Sequence, residues 1–440
     1  MSDATLADTT LQRAWPSLVE NKPLRFAAVM ILYFMQGVPL GLSLIVLPAW
    51  FAAAGASAVE IGGFVGFAVL PWSLKLFAGL LMDRFAYRPM GRRRAWILIA
   101  QGCLVTVLLA LAAAAPDASQ IALLASFCFA LNMCAIFNDV AVDGMTIDLV
   151  PIEERGAING CMFGSQIVGI AATSFIGGQM LVAGGTATTA LFFAALVAVP
   201  SVIVSVFRER PGERLMPWTS GRPSTECEAL QQDAWWPIIK GVFVSLADWR
   251  IVAYLTGYAL FCANWVILDS VSPVLSVQEL GWKSESYSSF AGTANLVAGL
   301  FGIAMTGLLV KWIGLSRMVT LVAVILVLLA LTGGITYSSW DGSWLFSSIL
   351  VSQTIAATLL TILLIAWGMM LSNPAVAASQ FALIMAIPNL SRSMMAGISG
   401  QVVETYGYAA AYFIAAALTV VTIALCLFAS SRISARVDAA

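Results

Sequence analysis

Long apolar runs of about 20 residues, separated by short polar stretches, recur along the whole chain. Each is long enough to cross a ~30 Å hydrocarbon core as an α-helix. The pattern predicts twelve spans: 26–51, 60–82, 95–115, 119–147, 156–182, 187–207, 251–272, 287–310, 317–336, 345–371, 378–402 and 408–430. The longest polar stretch, 208–234, falls between the sixth and seventh spans and is rich in proline, glycine and charge. It divides the chain into a cytoplasmic N-terminal segment (1–25), an N-terminal six-helix bundle (26–207), a cytoplasmic linker (208–250), a C-terminal six-helix bundle (251–430) and a cytoplasmic tail (431–440). Inside the linker, "WWPIIKGVFVSLADW" reads as a helix lying on the membrane surface, its tryptophans at headgroup level. The expected fold is therefore all-α integral membrane, in two pseudo-symmetric bundles.

Composition agrees with lipid as the solvent. The 440 residues are 60% hydrophobic and 10% charged, where soluble proteins carry about 25% charge. A net charge of −1 offers no basic surface for nucleic acid. Histidine is absent, which removes imidazole metal sites and histidine proton relays. The seven cysteines lack metal-ligand spacing: Cys103, Cys128, Cys134, Cys161, Cys262 and Cys426 fall in spans, and Cys227 in a loop. No metal, cofactor or disulfide framework is expected. The polar, mixed-charge opening residues do not read as a cleavable signal. With both ends of the chain in the cytoplasm, nineteen of the 22 Lys and Arg fall on the cytoplasmic side; Lys283 falls outside, and Lys75 and Arg392 within spans. No Walker sequence or nucleophile–histidine pair is visible, so an enzyme is not expected and energy must come from a gradient.

Ionisable residues inside spans are rare and usually face a bundle interior or a water-filled cavity. Lys75 sits in "GFAVLPWSLKLFAGLLMDR" (66–84), eight residues before Asp83, or about 12 Å along a helix. Asn132, Asp139, Asp143 and Thr146, spaced seven, four and three apart, form one stripe on span four, with Asn138 beside it. Asp139 lies nine residues from Asp148, about 13–14 Å deep and level with the lysine. Lys75 is expected to pair with Asp139 or Asp143, or else to snorkel outward. Either aspartate is a candidate proton site, and Asp143 could instead serve arginines at the cytoplasmic end. Arg392 offers a planar fork for a carboxylate or phosphate, or a partner for another helix. Asp269 is interfacial or functional, and Gln36, Asn264, Asn295 and Gln353 line a cavity or bridge helices. Gly156, Gly160 and Gly164, four apart on span five, predict close helix packing.

Gly79, Asp83, Arg84, Gly91, Arg92, Arg93 and Arg94 resemble the G-x-x-x-D-R-x-G-R-R signature of the major facilitator superfamily, with "AYRPM" inserted before Gly91. At this position Gly79 is expected to admit a neighbouring helix and Asp83 to reach across the bundle interface. With Asp148 and Arg155 these residues form a candidate cytoplasmic gate, which the resemblance implies is shut in the outward-open state. "GLLMDRFAYRPMGRRR" after span two and "GLLVKWIGLSR" after span eight repeat at equivalent loops, as internal repeats of transporters do. "YFMQGVPLGL" (33–42), "LPWSLKLFAGLLMDR" (70–84), "NDVAVDGMTIDLVPIEERGA" (138–157) and "ASQFALIMAIPNLSRSMMAGISGQVVETYG" (378–407) resemble the AmpG-type permeases. These import cell-wall muropeptides across the bacterial inner membrane; their relatives include acetyl-coenzyme A transporters, folate/biopterin-type carriers and pyochelin- or rhizobactin-type siderophore importers. Ser174 stands where superfamily antiporters carry proline, which favours symport or uniport. The resemblance implies a multi-pass inner (plasma) membrane transporter, monomeric, importing a medium-sized anionic, muropeptide-like solute with protons by alternating access. Substrate contacts are expected from Gln36, Lys75, Asn132, Asn138, Asp139, Asp143, Asn264, Asp269, Gln353 and Arg392. The alternatives are a siderophore importer and, from another class, a non-transporting membrane receptor or assembly factor.

Overall fold

The computed structural model of the chain describes residues 16–229, 236, 240, 249–340, 343–371 and 377–430. Among them there is helix and no strand, only two isolated β-bridges. The first helical rod, α1 (Lys22–Ala53), starts where the Asn21 side chain accepts the Leu24 N–H at 3.0 Å. Pro39 cannot donate a backbone hydrogen bond, and three residues later the helix widens into a π turn, Leu42–Val46. Next, α2 (Ala58–Arg84) opens on a reciprocal Ser57/Glu60 capping box. It tightens into a 3-10 turn over Leu70–Leu74, around Pro71, and Lys75 begins the last α segment. Then follow α3 (Arg94–Ala114), α4 (Ile121–Leu149) and α5 (Ile152–Ser205).

The second half repeats these irregularities. Its first rod, α6 (Trp249–Glu279), also carries a proline, Pro273, before a closing π turn, Leu275–Glu279. After α7 (Ser284–Ile313), α8 (Leu315–Ser339) and α9 (Ser343–Leu371) comes α10 (Ala377–Ser430). Both α5 and α10 run 54 residues and break once, at Gly185 (φ 69°) and Gly407 (φ 81°), where a side chain would be strained. The span boundaries expected at 182–187 and 402–408 bracket these two glycines. Among the described residues nine helices are long and apolar enough to cross a membrane, two of them 46 and 47 residues long.

Within the halves, α1 packs on α5 and α6 on α10; between them, α2 packs on α10 and α5 on α7. Glycines permit both seams. Gly400 lies on the Ala58 carbonyl, and a Cβ on Gly62 or Gly66 would come within 2.6 and 2.7 Å of the Ala396 and Ser393 carbonyls. Ser393 Oγ donates to the Gly66 carbonyl at 2.5 Å. On the other seam Gly178 meets Ser288, Gly292 meets Ser174 and Gly299 meets Ile167. These contacts run from the end remote from the arginine-rich 84–94 loop down to mid-helix. The close packing expected at Gly160 is not there, since a Cβ at that position would meet open space; α5 approaches α1 at Gly169 instead, against Phe34 and Gly37.

The stretch read as a free linker is folded where it begins. Leu18 N–H donates to the Arg208 carbonyl at 2.8 Å, and Arg214 N–H donates to the Pro89 carbonyl at 2.7 Å. A short helix, Thr225–Ala229, follows with Cys227 buried. The expected surface helix "WWPIIKGVFVSLADW" falls almost wholly outside the described residues, as do 1–15 and 431–440.

Candidate functional site

In the N-terminal half the polar side chains of α1, α2 and α4 converge. A 3-10 turn eclipses residues three apart, so Trp72 and Lys75 share one face, with the ammonium 5.6 Å from the indole centroid. Lys75 forms an ion pair with Asp139, and Asp143 Oδ2 lies 3.9 Å from the same Nζ. The Tyr33 hydroxyl donates to Asp143. One turn of polarity further, Trp72 Nε1 donates to Asn132 Oδ1 at 2.9 Å, and Asn132 Nδ2 donates to Ser43 Oγ at 2.9 Å. Gln36 accepts from Gln166 at 2.8 Å while its own Nε2 is buried without a partner. Asn138 donates to the Leu32 carbonyl at 3.3 Å and leaves Oδ1 unpartnered.

This geometry decides among the sequence expectations. At 8% exposure Lys75 does not snorkel, and Asp139 is its partner, with Asp143 the second carboxylate. Asp143 does not serve the arginines of the 84–94 loop; it turns to Tyr33. The two aspartates differ in access, their side chains being 3% and 34% exposed.

The C-terminal half holds a second polar group around a small cavity of about 30 Å³. Asn264, Trp265, Asp269 and Ser272 of α6 line it with Gln353 and Thr354 of α9. Arg392 of α10 places its guanidinium 4.9 Å from the Trp265 ring centroid. Asn264 donates to Thr419 Oγ1, and its Oδ1 is buried without a partner. Asn295 donates to Ala291 of its own helix at 2.9 Å and does not line the cavity.

The arginine-rich end is built from three chain segments. Gly91, at φ +93°, lets the loop pass Glu209, whose carboxylate would lie 2.5 Å from a Cβ there. Fully buried Glu209 accepts the backbone N–H groups of Arg92 and Arg93 at 3.0 and 2.8 Å and that of Arg94, so it caps the start of α3. Burial pushes Glu209 up against the pull of those N–H groups. Glu213 beside it accepts from the Arg210 N–H and the Ser224 hydroxyl, each at 3.0 Å. Burial and the neighbouring Glu209 raise Glu213 to about 7. Asp83 accepts from Arg92 at 3.2 Å and from Arg93; Asp148 accepts from Arg92 at 3.1 Å.

The ion pairs of Asp83 with Arg92 and Arg93 lie inside its own half. Among the described residues a Cβ on Gly79 would meet Val140 Cγ1, at 3.8 Å, an ordinary van der Waals contact. Arg84 lies over Phe85, 5.6 Å from the ring centroid. The Arg155 side chain lies outside the described residues.

Sequence reasoning missed Tyr33, Trp72, Ser43, Gln166, Trp265, Glu209 and Glu213. Tyr33 is one turn before Gln36, and Trp72 three residues before Lys75, so helical spacing from known polar positions could have found both. Glu209 stands between two arginines and carries no such signal.

Comparison with known proteins bears on the fold. The family model described as Major Facilitator Superfamily matches residues 29–396. The anhydromuropeptide permease of Escherichia coli (strain K12) is 26% identical over 420 residues, covering 90% of this chain and 78% of that protein. A folate-biopterin transporter of Synechocystis sp. is 24% identical over 386 residues, covering 83% and 72%. Among solved structures, the nucleoside transporter NupG superposes with a TM-score of 0.67 at 14% identity, covering 92% of this chain and 99% of its own. By the match over most of its length and by this architecture, the chain belongs to the major facilitator superfamily, and within it is AmpG-like.

Proposed function

We propose that the protein is a proton-coupled importer of a medium-sized anionic, muropeptide-like solute in the bacterial inner membrane. In this reading twelve crossings place both ends of the chain in the cytoplasm, and the halves rock about a central site. The muropeptide-like cargo rests on the similarity to a permease named for anhydromuropeptide. Coupling rests on one observation: Lys75, Asp139, Asp143 and Tyr33 form a single cluster, buried except at Asp143.

That cluster holds two carboxylates and one ammonium, so a proton is the smallest cation that balances it. Asp143, the more exposed carboxylate and 3.9 Å from Nζ, is open to receive one. A proton there leaves Lys75 on Asp139; a proton on Asp139 instead would free Lys75 to turn to Asp143 or to an anionic cargo. The seams support alternating access. They are closed from the end remote from the arginines to mid-helix, which with cytoplasmic arginines is a shape shut to the outside. A receptor that had lost transport would have no need of the polar cavity or the arginine-rich end, and both are present.

Labelled anhydromuropeptide uptake into cells lacking their native importer tests the reading. Uptake is expected with the wild type, is expected to stop when the proton gradient is collapsed, and is expected to be absent with Lys75→Ala. Uptake that persists without a proton gradient would sink the coupling; no uptake at all would sink the cargo.

A further inference from the structure

Asp269 lines the C-terminal cavity, and Arg392 stands at its edge against the lining residue Trp265, two opposite charges that do not neutralise each other at contact. Arg392 and Asp269 feel each other electrostatically, yet no ion pair within 4.0 Å joins them among the described residues. Neither makes a hydrogen bond or ion pair with any other described group; the described contact of Arg392 is the face of Trp265, and its Nε is buried without a partner. Asp269 follows Trp265 by four residues on α6, one turn along the same face. The guanidinium and the carboxylate therefore flank one indole, offset along the helix by roughly 6 Å. Asn264, 5% exposed, leaves its amide oxygen unpartnered at the same cavity, and Gln353 lines it from α9.

Arg392 and Asp269 are each half-buried, and a partly desolvated charge without a partner is costly unless a ligand completes it. An anion alone would satisfy Arg392 and leave Asp269 unmatched; a cation alone would do the reverse. A dipolar ligand satisfies both. We propose that this cavity is a binding subsite for a zwitterionic amino-acid or peptide end, with its carboxylate on Arg392, its ammonium on Asp269 and its amide between Gln353 and Asn264. Trp265 holds Arg392 by its π face, which keeps the planar fork oriented for a bidentate carboxylate. As a part of the transported cargo this subsite rests on the transporter reading above; as a binding site it does not.

The register of the seam keeps the subsite apart from the Lys75 cluster. Gly66 meets Ser393, next to Arg392, and Lys75 lies nine residues further along α2, about 13 Å nearer the arginine-rich end. The cavity as it stands, about 30 Å³ and lined by α6, α8 and α9, has room for roughly one water, so these helices must part for a peptide end to enter.

Full-length protein in lipid nanodiscs, titrated with alanyl-alanine, N-acetyl-alanyl-alanine and alanyl-alanine amide, tests the proposal by ligand-induced thermal stabilisation. The wild type is expected to bind the free dipeptide and to lose about tenfold or more in affinity for each blocked form. Asp269→Asn should bind the free and N-acetylated peptides equally, and Arg392→Gln the free and amidated ones equally. If a variant is not recovered folded, Asp269→Glu or Arg392→Lys replaces it, with the discrimination retained though weakened. A wild type that binds none of the three peptides, or all equally, overturns the proposal, as do variants that weaken all three alike. A wild type that shows this peptide pattern but takes up no anhydromuropeptide would overturn the cargo and keep the subsite; the converse would overturn the subsite alone.

Discussion

The two halves of the molecule solve the same problem in opposite ways. Each places a cation deep in a helical span. In the N-terminal half Lys75 is met by Asp139, approached by Asp143 at 3.9 Å and backed by Trp72. In the C-terminal half Arg392 has the face of Trp265, and the nearby carboxylate of Asp269 is out of ion-pair reach. A buried pair compensates its own desolvation; a buried unpaired charge compensates it only when something arrives. On the readings proposed above, the difference separates a cluster suited to hold a proton from one suited to take a ligand. Superposed on it is a shared frame, since both halves open on a proline and π-turn helix and close on a long helix broken at one glycine.

The sharpest way to break the comparison is to remove one member of the paired side. Lys75→Ala leaves Asp139 buried beside Asp143 with no counter-charge, and losing one partner of a buried pair costs about 3–5 kcal/mol. Thermal unfolding in detergent should show that loss. Adding Asp139→Asn should recover most of the stability and none of the uptake. A single variant as stable as the wild type would mean that the pair is no more anchored than Arg392.

The arginine-rich end gives a third kind of charge, two acids buried side by side. Glu213 holds its proton up to about 7 because burial and Glu209 disfavour its ionised form. A folded carboxyl that binds a proton more tightly than the unfolded one makes the fold lose stability as pH rises. The loss begins above the ordinary glutamate range and is complete once pH passes about 7. A shift of that size is worth about 3 kcal/mol. Hydrogen exchange over 208–229 should quicken between pH 5 and 8, and Glu213→Gln should flatten that dependence. Smaller again is Tyr33→Phe, which removes one hydrogen bond to Asp143 and leaves the Lys75 pair in place. A loss of about 1 kcal/mol in thermal stability is expected, with slowed uptake as the second readout.

How much of this was legible depended on periodicity. Helix positions, the breaks near 185 and 407, and the stripe Asn132–Asp139–Asp143 follow from apolar run length and the 3.6-residue turn. Depth counting from Asp83 and Asp148 put Lys75 level with Asp139, which is where the ion pair lies. What failed was whatever depends on which helix lies opposite. Gly160 and Gly79 carry the small-residue signal and face no close neighbour among the described residues, whereas Gly400 and Gly66, unremarkable in sequence, sit on the seam. Composition gave no sign of the folding within 208–229. Proline, glycine and charge signal a linker, but Glu209 is buried where it satisfies orphan N–H groups of a loop more than a hundred residues earlier, and Glu213 is buried beside it on the Arg210 N–H and the Ser224 hydroxyl. Such pairing over long sequence distance has no periodic trace.

The finest test of the contrast is a change expected to do little to stability. Arg392 and Asp269 lack hydrogen-bond and ion-pair partners among the described residues, so removing either charge strands no counter-ion at ion-pair distance. Each substitution removes one desolvated charge and one medium-range attraction, opposite terms of similar size. Arg392→Gln and Asp269→Asn should therefore shift stability by less than about 1 kcal/mol, in either direction, in the same thermal assay that registers the much larger Lys75→Ala loss. Their double variant should be additive within about 0.5 kcal/mol, where a contact pair would show strong coupling. A coupling of 2 kcal/mol or more would mean that the C-terminal charges pair in solution much as Lys75 and Asp139 do. The two halves would then differ in residue type but not in kind, and the cavity would have no charge left over for a ligand.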